Sequence, residues 1–206
     1  MKLYLVRHGE SEINRQSKEQ GKLHQGQLDS PLSEEGLHQA TLVGNRLRDA
    51  SFSLIYTSDL QRAAQTAHAI KTHHPVTQLI EDARLRERSK GSFEGKPKAT
   101  HREEELAGDH LTRKPPGGES YLEQKHRVEA VLEEILEQEV DTLIVAHSHV
   151  IKILLRKIFS LPEEDVFKEG VEIGNTGIFI FDLNEHGIET LLYNCTHHLE
   201  NEEEYY

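Results

Sequence analysis

Short apolar runs alternate along the chain with longer segments in which apolar residues recur every three or four positions. The short runs are typical of strands buried on both faces, and the longer segments are typical of helices that pack one face against a sheet. This alternation predicts a three-layer α/β sandwich, in which a mostly parallel central sheet is flanked by helices. Strands are predicted at 2–6, 54–56, 76–81, 142–146, 177–183 and 188–193. Helices are predicted at about 33–47, 58–70, 120–138 and 149–158.

Residues whose side chains cap helix N-termini mark the starts of three of these helices. Ser33 precedes two glutamates, Ser120 forms a capping-box pattern with Glu123, and Ser58 or Asp59 is expected to cap the helix between them. The first of the three helices is predicted to bury Leu37, Ala40, Gly44 and Leu47. Two segments lack a regular pattern. The polar segment up to about residue 32 is predicted to be a loop, and the Gly-, Pro- and Lys-rich segment 83–118 is predicted to be a small cap-like insertion.

Length and composition favour a single domain. The chain has 206 residues, of which 35% are hydrophobic, enough for one core. The domain is predicted to span 1–199, followed by an acidic tail at 200–206. The net charge of −12 argues against a protein that binds nucleic acid or an anionic membrane, because those partners require a basic face. A single cysteine, Cys195, and the lack of an apolar segment of signal-peptide or membrane-spanning length favour a cytoplasmic protein. No oligomeric state is predicted.

The candidate chemistry begins where the first predicted strand ends, at Arg7-His8-Gly9. In open α/β sheets, ligands bind beyond the carboxyl ends of the strands. A neutral imidazole at that edge is a competent nucleophile for phosphorus, and the planar guanidinium of Arg7 matches phosphate oxygens. The ordinary alternative is a strand-end histidine beside a surface arginine, and for this tripeptide alone that alternative is the better one.

Three further candidate residues follow predicted strands. Arg62 lies near the start of the helix after the second strand, where the helix N-terminus also attracts anions. Glu87 follows the third strand and is a candidate proton donor. His147 follows the fourth strand and, as a cation, would bind phosphate and stabilise developing charge. Each has an ordinary alternative when taken singly: a surface arginine, a solvated ion-pair cluster and a structural histidine. Their shared position at strand ends favours a functional site.

These segments resemble the histidine phosphatase superfamily, which has the phosphoglycerate-mutase-like fold. The resemblance extends over almost the whole chain and rests on Arg7-His8-Gly9-Glu10, Ser58-Asp59-Leu60-Gln61-Arg62-Ala63, Leu85-Arg86-Glu87, Glu94-Gly95 and His147, in that order. It implies that His8 is the nucleophile that becomes phosphorylated and that Glu87 is the general acid and base. It also implies a phosphate clamp formed by Arg7, Arg62 and His147.

The resemblance further implies a set of substrate contacts: Asn14, Gln25, Gly26 and Ser148. The expected partner is a small phosphorylated metabolite. No cofactor and no metal are expected, because two arginines and a histidine supply the positive charge that phosphoryl transfer needs. Glu87 is expected to start protonated, its pKa raised by partial burial and by the phosphate of the substrate.

The chain departs from the family pattern in two places. His147-Ser148-His149 stands where the family usually has His-Gly-Gly or His-Gly-Ala, and the segment from 14 to 25 looks longer than in compact members. The modest insertion favours a phosphatase, similar to the fructose-2,6-bisphosphatase-like or broad-specificity branch, over a cofactor-dependent phosphoglycerate mutase. A metal-dependent hydrolase is a less favoured alternative, suggested by 14 histidines and by the spacing of His147 and His149. A non-catalytic phosphate-binding protein is the last alternative, and it would be expected to lack His8 or Glu87.

Basic residues are frequent in the two segments that leave the predicted catalytic edge. They are Lys90, Lys96, Lys98, His101, Arg102, Arg113 and Lys114 in the insertion, and Arg15, Lys18 and Lys22 after His8. One hypothesis is that these residues form a cationic rim that holds the second phosphate or carboxylate of a small polyanion, such as a sugar bisphosphate or a phosphoglycerate. The ordinary interpretation, given equal weight, is that they are solvated side chains on loops.

Overall fold

The strands form one sheet in the computed structural model, which describes residues 1–101, 108–162 and 172–201. They are β1 (Lys2–Arg7), β2 (Leu54–Thr57), β3 (Gln78–Glu81), β4 (Thr142–Ala146), β5 (Ile178–Asn184) and β6 (Gly187–Cys195). Their order in the sheet is β3-β2-β4-β1-β5-β6. Strands β1 to β4 pair in parallel, whereas β5 and β6 pair antiparallel to their neighbours. The predicted mostly parallel sheet is confirmed.

Helices cover both faces of this sheet. They are α1 (Glu12–Gln20), α2 (Glu34–Arg46), α3 (Gln61–Lys71), α4 (Tyr121–Leu136) and α5 (Ser148–Phe159). Successive side chains of a strand point to opposite faces. Leu3 and Leu5 of β1 therefore join a core cluster with α4 and α5, and Tyr4 and Val6 join a second cluster with α2 and α3. Burial of both faces explains the unbroken apolar runs, and the three-layer sandwich is confirmed.

The capping predictions are correct for two helices and wrong for one. The hydroxyls of Ser33 and Ser120 each accept a backbone N–H bond at the start of α2 and α4. Helix α3 instead begins after Leu60, which makes no side-chain capping bond, so the prediction that Ser58 or Asp59 caps this helix was wrong. The carboxylate of Asp59 is bound by an arginine from the loop after β3, and that long-range contact takes it away from the helix end.

Helix α1 lies in the segment that was predicted to be a loop. It has no buried residue, so it carries no apolar stripe that a periodicity could reveal. Its start is a capping box between Ser11 and Asn14, with asparagine at the position where glutamate or glutamine is usual. In α2, Leu37 was predicted to be buried but is 51% exposed. The buried stripe of α2 includes Leu42 and Val43 in its place.

The predicted insertion contains three short 3-10 helices in its described part, at Ala83–Leu85, Gly91–Phe93 and Lys98–His101. Residues 102–107 of the insertion and 202–206 of the predicted acidic tail lie outside the described residues. The division into domain, insertion and tail stays a prediction. Within the three described ranges, no helix has both the length and the apolar character needed to cross a membrane.

Candidate active site

The carboxyl ends of β2, β4 and β1 lie side by side, because these strands are parallel neighbours in the sheet. The His8 N–H donates to the Ala146 carbonyl at 3.0 Å, so His8 and His147 leave the sheet next to each other. The centroids of their rings are 5.1 Å apart. Both side chains are buried, and so is Arg62 in the first turn of α3. One edge of the sheet therefore collects three of the predicted site residues.

The imidazole of His8 is held in the form that a nucleophile needs. Its Nδ1 lies 2.6 Å from the Gly9 carbonyl oxygen. Because a carbonyl oxygen only accepts hydrogen bonds, Nδ1 carries the proton in this contact and Nε2 keeps its lone pair. Burial, reinforced by the nearby charge of Arg62, holds the pKa of His8 well below its ordinary value. A neutral His8 fits the predicted nucleophile.

Two hydrogen bonds and one close contact fix the backbone around His8. The His8 carbonyl accepts from the side-chain amide of Asn175 at 3.0 Å, and the Gly9 N–H donates to Thr66 Oγ1 at 3.1 Å. A side chain does not fit at Gly9, because a Cβ built there lies 2.6 Å from the Gly36 carbonyl oxygen. Asn175 and Thr66 were not among the predicted site residues. Both act through the backbone and come from distant segments, so no local pattern identifies them.

Arg7 and Arg62 are anchored by backbone carbonyls. Arg7 Nη1 donates to the Ile173 carbonyl at 2.6 Å. Arg62 donates from Nη1 to the Leu28 carbonyl at 3.0 Å and from Nη2 to the Gly26 carbonyl at 2.9 Å. Among the described residues, the buried Nε of each arginine has no hydrogen-bond partner, so each retains a donor for an anion. Burial lowers the pKa of Arg62 to about 10, which leaves it positively charged at neutral pH.

His147 is the N-terminal cap residue of α5. Both of its ring nitrogens are buried and lack a hydrogen-bond partner in the part of the chain that the structure describes. Burial and the charge of Arg62 hold the pKa of His147 well below its ordinary value. A cationic His147 was expected only against a bound phosphate, and that expectation stays a prediction. The ring is neutral, with one N–H donor and one acceptor nitrogen available beside His8.

The carboxylate of Glu87 is surrounded by hydrogen-bond donors. Oε1 accepts from the Arg88 backbone N–H at 2.8 Å and from the Gln124 side-chain amide at 3.1 Å. Oε2 accepts from the His149 backbone N–H at 3.2 Å, and His149 Nδ1 lies 3.3 Å from Oε1. Burial raises the pKa of Glu87, but His149 and these hydrogen bonds outweigh burial and hold the pKa well below its ordinary value. A protonated Glu87 was expected with the phosphate of the substrate beside it, and that expectation stays a prediction.

Two arginines that were not among the predicted site residues position the loop that carries Glu87. Arg127 Nη1 donates to the carbonyls of Arg84 and Arg86 at 2.6 and 2.7 Å. Its Nη2 donates to the Glu87 carbonyl at 3.1 Å. Arg86 binds both carboxylate oxygens of Asp59, at 2.7 and 2.5 Å, and so joins the loop to the segment before α3. In the sequence, Arg127 is one of many charged residues of α4, and only its long-range contacts distinguish it.

The four predicted substrate contacts fall into two pairs. Gly26 supplies a carbonyl that anchors the buried arginine of α3, and Ser148 is the first residue of α5. The other two contact each other, since Asn14 Nδ2 donates to Gln25 Oε1 at 3.3 Å. The first pair thus lies beside the clamp residues, whereas the second links α1 to the following loop. A direct role of the four residues in substrate binding stays a prediction.

Ion pairs within the chain neutralise part of the cationic rim. Three of its cations bind the chain's own carboxylates: Lys18 with Glu10, Lys114 with Glu123, and Arg15 with Glu12 and Glu19. Arg102 lies outside the described residues. The rim therefore offers fewer charges to a substrate than the sequence suggests, and its role in recognition stays a hypothesis.

A neutral buried histidine, two anchored arginines, a second histidine and a carboxylate thus meet at one sheet edge, as the resemblance of the sequence implies. Comparison with known families agrees, because residues 3–196 match the histidine phosphatase superfamily (branch 1). The chain belongs to the histidine phosphatase superfamily. This finding confirms both the predicted family and the predicted enzyme class, a histidine phosphatase.

Individual relatives of the chain differ in their named activities. The chain is 39% identical over 142 residues to fructose-2,6-bisphosphatase TIGAR B of Danio rerio, covering 66% of this chain and 53% of that protein. It is 36% identical over 170 residues to the probable phosphoglycerate mutase GpmB of Yersinia pestis, covering 79% and 76%. The mycobacterial glucosyl-3-phosphoglycerate phosphatase, solved with VO3, superposes with a TM-score of 0.81 at 26% identity, covering 95% of this chain and 99% of that chain. The first match spans only about half the length of its relative.

Proposed function

We propose that the protein is a phosphomonoesterase that hydrolyses small phosphorylated metabolites through a phosphohistidine at His8. The geometry around His8 carries this proposal. Nδ1 of His8 donates to the Gly9 carbonyl at 2.6 Å, which leaves Nε2 free to attack. Around it, the buried Nε atoms of Arg7 and Arg62 have no hydrogen-bond partner among the described residues. An imidazole nucleophile beside unused guanidinium donors suits a phosphate group.

The reaction proceeds in two steps. In the first, His8 Nε2 attacks phosphorus, the bond from phosphorus to the leaving oxygen breaks, and that oxygen takes a proton from Glu87. Arg7 and Arg62 stabilise the charge on the remaining phosphate oxygens, with a hydrogen bond from His147. In the second, Glu87 as a carboxylate removes a proton from the attacking water, and the bond between phosphorus and His8 breaks. Inorganic phosphate leaves and His8 is regenerated.

The positive charge for this reaction comes from the protein's own side chains, so we propose that it is independent of metals. Arg62 is held at the site by two backbone carbonyls and keeps its charge at neutral pH. In the three described ranges, no group of three or more His, Cys, Asp or Glu side chains is arranged to hold a metal ion. The spacing of His147 and His149 suggested a metal site, but the imidazole of His149 contacts Glu87.

Two specific activities are candidates for this site. Hydrolysis of fructose 2,6-bisphosphate is favoured by the 39% identity to a protein named as a fructose-2,6-bisphosphatase. The alternative is a cofactor-dependent phosphoglycerate mutase, favoured by the 36% identity to GpmB. In a mutase, the phosphohistidine passes its phosphate to a hydroxyl of the substrate, whereas in a phosphatase it passes the phosphate to water. We also propose a cytoplasmic activity, because a single cysteine suits a reducing compartment.

A rapid-quench experiment with radiolabelled substrate in the presence of EDTA tests this proposal. The label should appear on His8 as acid-labile, base-stable phosphate and then as inorganic phosphate. His8→Ala should abolish both, whereas His126→Ala, at an exposed position on α4, should leave them unchanged. Label on a serine or an aspartate, or activity that EDTA abolishes and a metal restores, would overturn the mechanism. Transfer of the label to a phosphoglycerate instead of water would identify a mutase.

A further inference from the structure

His149 stands where the family usually has a small residue, and it touches the proposed general acid at two points. Its backbone N–H donates to Glu87 Oε2 at 3.2 Å, and its imidazole Nδ1 lies 3.3 Å from Glu87 Oε1. The side chain of His149 is 36% exposed, whereas that of Glu87 is 14% exposed. The imidazole therefore lies between a partly buried carboxylate and solvent.

The other partners of the Glu87 carboxylate cannot exchange a proton with it near neutral pH. They are the backbone N–H of Arg88 and the side-chain amide of Gln124. Of the groups in the described residues that contact the carboxylate, His149 alone belongs to a residue type that titrates between pH 5 and 8. Among the described residues, the charged and titratable groups around the pair include His147 at the N-cap of α5, Lys152 on α5, Arg7 at the end of β1, Arg62 on α3, Arg127 on α4 and Glu172.

We propose that His149 is the proton partner of Glu87, so that the two side chains together hold the single proton that the first reaction step consumes. This inference rests on the proposed function of Glu87 as general acid. The proton moves from His149 Nδ1 to Glu87 Oε1, and Glu87 delivers a proton to the leaving oxygen. After the step, His149 is neutral and Glu87 is a carboxylate. Water attack in the second step returns one proton to Glu87 and from there to His149.

The surroundings of Glu87 explain why a proton partner is useful. Burial raises the pKa of Glu87, but contact with His149 outweighs burial and holds this pKa well below the ordinary value, so the carboxyl group of the pair carries little of the proton at neutral pH. The imidazole of His149, with Nδ1 3.3 Å from Glu87 Oε1, is placed to hold that proton. A phosphate dianion arriving beside Glu87 disfavours the carboxylate, and it therefore shifts the shared proton from His149 to Glu87.

Replacement of His149 tests this inference with two substrates that differ in their need for an acid. In His149→Ala, kcat/KM for phenyl phosphate at pH 8 should fall by about tenfold, because general acid help is typically worth about 10²–10⁴-fold and only the proton supply is impaired. For p-nitrophenyl phosphate, whose phenolate needs little protonation, the value should stay within about twofold. The alkaline limb of the phenyl phosphate profile should move to lower pH. His126→Ala is the matched control at an exposed histidine.

His149→Asn separates a proton partner from a structural hydrogen bond. Its side-chain amide can donate to Glu87 Oε1 but has no proton to transfer. It should therefore behave like His149→Ala; full recovery by asparagine would overturn the inference. In the Glu87→Gln background, His149→Ala should cause no further loss, whereas an additional tenfold loss would show that His149 acts elsewhere. If Glu87→Gln itself does not discriminate between the two substrates, the proposed function of Glu87 fails; if it does and His149→Ala does not, this inference alone fails.

Discussion

Glu87→Gln tests the central assignment of the mechanism with the smallest available change of shape. Glutamine has the size of glutamate but carries no transferable proton. If its amide oxygen takes the place of Oε1, it still accepts from the Arg88 N–H and from Gln124. Its NH₂ group then takes the place of Oε2 and faces the backbone N–H of His149, which donated to that oxygen at 3.2 Å.

Two magnitudes follow from these contacts. One donor facing another leaves a hydrogen bond unmade, which costs about 1–3 kcal/mol of stability. For a domain of this size, each kcal/mol corresponds to about 2–4 °C in Tm, so Glu87→Gln should unfold several degrees lower but stay folded at 25 °C. Loss of the general acid should lower kcat/KM for an alkyl phosphate by about 10²–10⁴-fold, or about 2.7–5.5 kcal/mol of barrier.

The assay compares an alkyl phosphate with p-nitrophenyl phosphate on the same enzyme preparation. The value of kcat/KM for the alkyl substrate should fall by about 10²–10⁴-fold. For p-nitrophenyl phosphate, kcat/KM should fall by less than about tenfold, because its leaving group departs without a proton. Glu137→Gln makes the same chemical change at an exposed position on the C-terminal side of α4 and should alter neither substrate. Thermal unfolding of both variants shows that the enzyme is folded at the assay temperature.

An equal fall in kcat/KM for the two substrates would refute the assignment of Glu87 as proton donor. Such a result would mean that the carboxylate serves only to order the donors around it, among them Gln124 and His149. A selective loss on the alkyl substrate would leave general acid catalysis as the explanation, since a structural defect affects both substrates alike.

Two further predictions concern stability and anion binding. The pKa values of His8 and His147 are held well below the ordinary value of about 6.5, so the unfolded chain binds protons below pH 6.5 that the folded protein excludes. The free energy of unfolding should therefore fall from pH 7 to pH 5.5, by up to about 1.4 kcal/mol per pH unit for each histidine. In His147→Asn, the free energy of unfolding measured with urea should fall less steeply with pH. An unchanged dependence on pH would contradict the buried neutral state of His147. Arg62→Lys keeps a cation, but its single nitrogen cannot take the places of Nη1, Nη2 and Nε, which reach the Leu28 carbonyl, the Gly26 carbonyl and an anion from three separate positions. Inorganic phosphate should raise the Tm of the wild-type protein, and its Kd should weaken by about 10–100-fold in Arg62→Lys; equal affinities would exclude Arg62 from the phosphate site.

Local patterns sufficed for most of the fold. The apolar run of β4 predicted its bounds, 142–146, and the pairing of Ser120 with Glu123 predicted the start of α4. Helix α1 was missed because it buries no residue and so leaves no apolar periodicity. The cap of α3 was misplaced because Asp59 binds Arg86, a residue 27 positions away that no local rule includes.

The candidate nucleophile, phosphate clamp and general acid were named from the sequence, but the residues that position them and their charge states were not. By itself, the sequence determined the alternation of strands and helices, the order of the motifs and the identity of the nucleophile candidate, because periodicity, capping and strand-end position act over a few neighbouring residues. Only the tertiary structure decided that the pKa values of His8, His147 and Glu87 lie well below their ordinary values and that His149 contacts Glu87. A pKa depends on burial and on charges brought close by the fold, and segments far apart in the chain supply both.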